Sequence, residues 1–145
     1  MGAVIDWSGA VLIPPGRYTL GFVDYRTAVY FQKAAKLVLT FRVLDAGEHF
    51  GIVLDRYYNV QRLTTKPGKR GGFKIGPRSD FLREYCTLFP ERCARRLDRI
   101  PITEPFSGAY VVGDVQTVAR DYAQRTIPDP VRYSKIVALL KVAGP

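Results

Sequence analysis

The residues best suited to chemistry lie in one stretch, RYYNVQRLTTKPGKRGGFK, from Arg56 to Lys74. Between Asp55 and Arg78, seven basic residues stand against the single acid Asp55, so +6 of the chain's net +9 falls in this short span. The cations are Arg56, Arg62, Lys66, Lys69, Arg70, Lys74 and Arg78, with Tyr57, Tyr58 and Phe73 interleaved. Cations neutralise phosphates and aromatic faces stack on bases of any identity, so the mixture suits an unpaired nucleic-acid strand. Pro67-Gly68 and Gly71-Gly72 punctuate the stretch as a loop. The plain alternative is a solvated loop beside core tyrosines. Successive strand residues face opposite ways, so one of Tyr57 and Tyr58 is expected to pack inward and the other to point out.

A second cluster, YRTAVYFQKAAK, offers Tyr25, Arg26, Tyr30, Phe31, Lys33 and Lys36 in the expected connection between the first two strands. Arg42 on the second strand and Arg56 on the third are expected to line a floor between the clusters. Tyr30 and Phe31 serve equally well as rings that close one end of the fold. The run ERCARRLDR is mixed in sign and reads as a solvated helix face. Trp7 reads as a packing anchor for an N-terminal arm, residues 1–16.

Other chemistries find little footing. The single histidine, His49, sits in a turn, a poor place for a preorganised base. Cys86 and Cys93 with that histidine fall short of four zinc ligands, and their spacing matches no zinc motif. KPGKRGG lacks the GxxxxGK[ST] spacing of a phosphate-binding loop. No lysine has an acid two residues before it, so the D/E-x-K element of metal-dependent nucleases is missing. No catalytic residue, metal or cofactor is therefore expected. An enzyme would have to use scattered carboxylates such as Asp24, Asp45 and Asp55.

The elements that would position these groups follow from periodicity. GRYTLGFVDYRTAVYF reads as a strand with Tyr18, Leu20 and Phe22 on one face, and Gly21 suggests a bend or bulge. In KLVLTFRVLD, Leu37, Leu39, Phe41 and Val43 point one way and Val38, Thr40, Arg42 and Leu44 the other. The turn DAGEHFG leads to a third strand, GIVLDRYYNV. SDFLREYCTLF reads as a short helix with Ser79 as N-cap, Asp80 in the first turn, and Phe81, Leu82, Tyr85, Cys86 and Phe89 as its apolar stripe. Pro90 stops it, and ERCARRLDRI suits a further helical turn. SGAYVVGDVQTVAR reads as a fourth strand broken by Gly113, and a connector containing IPDP follows. Residues 132–142 satisfy strand and helix templates alike.

At 145 residues and 16.3 kDa the chain suits a single domain, residues 1–145. Its pI of about 9.8 fits a polyanion binder. The N-terminal segment has no basic n-region, and no window reaches the length of a membrane span. The expected setting is cytoplasmic, with both thiols reduced. Three strands, a helix and one or two further strands is the connectivity of the OB-fold. The expected fold class is thus mainly β, an OB-like five-stranded barrel with a short helix between strands 3 and 4.

The run PPGRYTLGFVDYRTAVYFQKAAKLVLTFRVLDAGEHFGIVLDRYYNV, with SDFLREYCTLFP and RYSKIVALL, resembles small single-stranded-DNA-binding proteins of bacteriophages and mobile elements. The resemblance covers most of the chain and rests on element order rather than on an invariant motif. It implies sequence-tolerant binding and protection of single-stranded DNA during replication or recombination of the element that encodes it. One departure is that bacterial proteins of this kind end in an acidic recruiting tail, whereas this chain ends LLKVAGP. The expected binding residues are Tyr30, Phe31, Lys33, Lys36, Arg42, Arg56, Tyr57, Tyr58, Arg62, Lys66, Lys69, Arg70, Phe73 and Lys74. The expected partners are single-stranded DNA or RNA and further copies of the chain, because one small barrel covers few nucleotides. A non-catalytic β-rich phage assembly protein is the rival of a different class.

Overall fold

The structure, a computed structural model, describes residues 12–93, 96–118 and 133–143. Trp7 and most of the N-terminal arm, Arg95 in the mixed-charge run, and the IPDP connector lie outside the described residues. In chain order the strands are β1 Gly16–Tyr30, β2 Ala34–Val43, β3 Val53–Asn59, β4 Arg62–Leu63, β5 Gly68–Lys69 and β6 Phe73–Lys74. Helix α1 covers Asp80–Leu88, a 3-10 turn Pro90–Arg92, and α2 Thr103–Ser107, before β7 Tyr110–Val118 and β8 Tyr133–Val142.

The long strands close on themselves. β1 pairs with both β2 and β7, β2 with β3, β7 with β8, and β8 with β3, giving a mainly β ring of five strands. All these pairings are antiparallel except β3 with β8, which run parallel and share the single register pair Arg56↔Ile136. β1 pairs with β2 along one edge and with β7 along the other, and its register with β2 shifts between Phe22 and Asp24, a bulge next to the expected bend at Gly21. The final segment, ambiguous in sequence, is a strand because β7 pairs with it along nearly its whole length. Nor does Gly113 break β7. It lets the strands close up, since a Cβ there would stand 2.5 Å from Leu20 Cδ1.

The inner face carries the core. Leu37, Leu39, Phe41 and Val43 are all buried, as their alternation requires, beside Leu20, Leu54, Val111, Val115, Ile136 and Leu139. Ser79 caps α1 by accepting the Leu82 N–H at 3.1 Å, and Phe81, Tyr85 and Leu88 bury the helix face. The α1 rings continue into Phe106 of α2, which lies 6.2 Å from Tyr85 and 6.0 Å from Phe41.

Three sequence expectations are corrected here. The basic stretch is not a plain loop: β4 pairs with β6, and β5 joins the edge of β1 through Arg26↔Lys69 and Thr27↔Gly68. The buried Thr27 hydroxyl accepts the Gly68 N–H at 3.2 Å, and Gly71 sits so close that a Cβ would be 2.2 Å from Thr27 Oγ1. The second cluster is a hairpin rather than a long connection, with β1 and β2 running to a tight turn at Phe31–Lys33. Finally, the two cysteines are joined. Pro90 stops α1 and the 3-10 turn brings Cys93 back against the last helical turn, Cα–Cα 4.6 Å from Cys86, where they form a disulfide. The cytoplasmic expectation leaned on reduced thiols and loses that support. Among the described residues no helix is long and apolar enough to cross a membrane.

Candidate nucleic-acid interface

Residues directly opposite each other in antiparallel strands share a face, so the registers order the outer surface into rows. One row reads Lys69–Arg26–Val38–Tyr57 across β5, β1, β2 and β3. On the side toward the hairpin tip lie Ala28–Lys36–Asn59 and then Tyr30–Ala34. On the other side come Asp24–Thr40–Asp55 and then Tyr110–Gly21–Arg42–Val53.

The aromatic part of this face is a short ladder. Tyr30 and Tyr57 stand 6.2 Å apart and Phe31 lies 6.4 Å from Tyr30. Phe31 is 63% exposed at the hairpin tip. It and Gln32 both have positive φ, 56° and 66°, in the three-residue loop closed by the Tyr30↔Ala34 pair. Tyr57 is half-buried over Val38, which is fully buried although it faces outward. Burial, and after it the neighbouring Asp55 carboxylate, pushes the Tyr57 phenol far above its ordinary range, so the ring stays neutral.

Cations surround the ladder. Lys33 and Arg42 are exposed, Lys36 hydrogen-bonds Asn59, and Arg26 approaches Asp55 at 3.5 Å. At the β5 edge, Arg70 Nε donates to Asp24 Oδ1 at 3.0 Å and Lys69 lies 3.8 Å from Asp24 Oδ2. Burial works against the Asp24 charge, but Arg70, the Tyr25 N–H and Lys69 outweigh it and hold the carboxyl below its usual range. Arg62 and Lys74 stand directly opposite each other in the β4–β6 pair, a like-charge placement that costs stability unless an anion approaches. Lys66 is exposed on the same arm.

Three expected site residues are elsewhere. Arg56 does not line the outer floor. In the pleat it alternates with Tyr57 and turns inward to α1, where its guanidinium meets Glu84 at 2.5 Å and covers the Tyr58 ring at 4.2 Å. Tyr58 is buried with it and donates its hydroxyl to Glu84 at 2.6 Å, which settles which tyrosine packs inward. Glu84 also accepts the Leu139 N–H at 3.0 Å, so one helix side chain bridges β3 and β8 where their backbone ladder is shortest. Phe73 is buried 5.9 Å from Phe81, because the β4–β6 pairing folds its ring under the arm.

Sequence reasoning named Arg26 without assigning it to the site and passed over Thr40 and Tyr110. Strand alternation from Tyr57 and Arg42 would have reached all three once the registers were known. No family model, curated protein or solved structure matches the chain.

Proposed function

We propose that this chain binds single-stranded DNA with little sequence preference on the outer face of β1, β2 and β3. The ring is read as an OB-like barrel, supported by the β1-β2-β3-β8-β7 order, the parallel closure of β3 on β8, the helix between β3 and β7, and the bulge in β1. In such barrels the face of the second and third strands takes oligonucleotides. The observation that carries the reading is the convergence of Phe31, Tyr30 and Tyr57 with Arg26, Lys36, Arg42 and Lys69 on that one face, with the exposed Lys33 in the adjoining turn. The rings stack on bases, and the cations flank them and hold phosphates. Arg62, Lys66, Arg70 and Lys74 extend the positive field along the arm. The resemblance to phage and mobile-element proteins supports a role in protecting exposed strands during replication or recombination.

The test is a fluorescence anisotropy titration of labelled oligo-dT at two salt concentrations, with duplex DNA and equal-length RNA as competitors. Binding should weaken with salt, with a log–log slope of about −3 to −4 for five neutralised phosphates at roughly 0.7 each. Duplex should compete poorly. Absence of binding at low salt would sink the reading and favour a β-rich assembly protein. Stronger competition by RNA would move it to RNA.

A further inference from the structure

A cavity of about 260 Å³ opens beside the β5 edge of the outer face, lined by Asp24, Tyr25, Arg26, Thr40 and Lys69. It is slightly smaller than sites that take drug-sized ligands, which suits one base rather than a longer segment. Its polar groups are ordered. Asp24 Oδ1 is occupied by the Tyr25 N–H at 2.8 Å and Arg70 at 3.0 Å. Among the described residues, Oδ2 meets only Lys69, at 3.8 Å, beyond hydrogen-bond length. Thr40 gives its proton to Asp55 at 2.6 Å, so its oxygen presents lone pairs. The residues around the cavity thus bring together two acceptors, Asp24 Oδ2 and Thr40 Oγ1, and the cations Arg26 and Lys69.

A phosphate does not suit that centre, because the carboxylate repels it. A base edge rich in N–H groups does. Guanine offers two adjacent donors, N1–H and the 2-amino group, next to the acceptor O6. Thymine offers one N–H between two carbonyl oxygens, which a carboxylate disfavours. In an unpaired strand these edges are free to be read.

We propose that the Asp24 cavity is a base-edge subsite that takes guanine and rejects thymine, one selective position on an otherwise sequence-tolerant face. The inference rests on the single-stranded-DNA reading. Lys69 and Arg26 face the O6 side of the base and the adjoining phosphate, while the tyrosine ladder stacks its neighbours. Asp24 is the residue that sets specificity.

The experiment compares dT12 with the same oligonucleotide carrying one central guanine, or one inosine, which lacks the 2-amino group. Wild-type protein should prefer the guanine oligonucleotide by about tenfold, the scale of one well-formed base contact, with inosine intermediate. Asp24→Asn should bind dT12 at least as tightly, because Lys69 and Arg70 are released, and should lose most of the guanine preference. Equal wild-type affinities for the three oligonucleotides overturn the subsite while leaving the single-strand reading intact. A guanine preference that survives in Asp24→Asn overturns it too. Binding of none of them ends both. The inosine series needs no variant, so it decides even if Asp24→Asn folds poorly.

Discussion

Asp55, Arg56, Tyr57 and Tyr58 are consecutive, yet two different neighbourhoods divide them. Arg56 and Tyr58 face α1, where the guanidinium covers the ring and both donate to the buried Glu84 carboxylate. Asp55 and Tyr57 face outward, with Arg26 beside them and solvent above. Each neighbourhood contains an arginine, a tyrosine and an acid. In the inner one every strong donor is satisfied within the protein, so nothing is left for a ligand. In the outer one the ring edge and the surrounding lysines stay accessible. Pleat parity, together with one acid on a distant helix, separates scaffold from interface.

The inner neighbourhood should break first and hardest. Glu84→Ala leaves the Arg56 charge, the Tyr58 hydroxyl and the Leu139 N–H without their shared acceptor. Removing one partner of a buried ion pair costs about 3–5 kcal/mol, or a melting temperature lower by roughly 10–15 °C in a chain of this size. Thermal unfolding followed by circular dichroism measures it. A drop of only a degree or two would mean that Glu84 does not close the β3–β8 junction.

The two tyrosines sharpen the comparison one step further. Tyr58→Ala should cost about 3–5 kcal/mol of stability and leave the oligo-dT affinity of the folded fraction within twofold. Tyr57→Ala should do the reverse. It loses stacking of about 1–3 kcal/mol, an affinity drop of at least fivefold, while uncovering Val38 costs only about 1 kcal/mol of stability. Denaturant titration and anisotropy on the same preparations separate the two effects. Equal melting temperatures with full affinity in both variants would remove Tyr57 from the interface.

What could be read in advance divides along the same line. The alternation of Leu37, Leu39, Phe41 and Val43, the Ser79 cap and the division between Tyr57 and Tyr58 are local patterns, and they were legible. The fate of Arg56 was not, because its partner lies 28 residues away on a helix face that the apolar stripe alone describes. Phe73 looked like a loop aromatic because a two-residue pairing such as β4 with β6 leaves no periodic signal. The same holds for β5 on β1, which turns Lys69 and Arg70 from free cations into partners of Asp24. The disulfide escaped because spacing alone does not say that a 3-10 turn folds Cys93 back on α1.

The smallest effect tests the tip of the hairpin, where two neighbours share a backbone problem but not a role. Phe31 and Gln32 both occupy the left-handed region, at 56° and 66°, where glycine would be at ease. A non-glycine residue held there costs on the order of 1 kcal/mol or more, offset in part by the extra freedom glycine gives the unfolded chain. Gln32→Gly should therefore leave stability unchanged or raise it by up to about 1 kcal/mol, with oligo-dT affinity untouched. Phe31→Gly should give the same stability change but lose the exposed ring and weaken binding severalfold, about 1 kcal/mol at the low end of stacking. If Phe31→Gly binds as tightly as Gln32→Gly, the bulky ring at that strained position serves the hairpin rather than a base. The stacking surface would then shrink to Tyr30 and Tyr57.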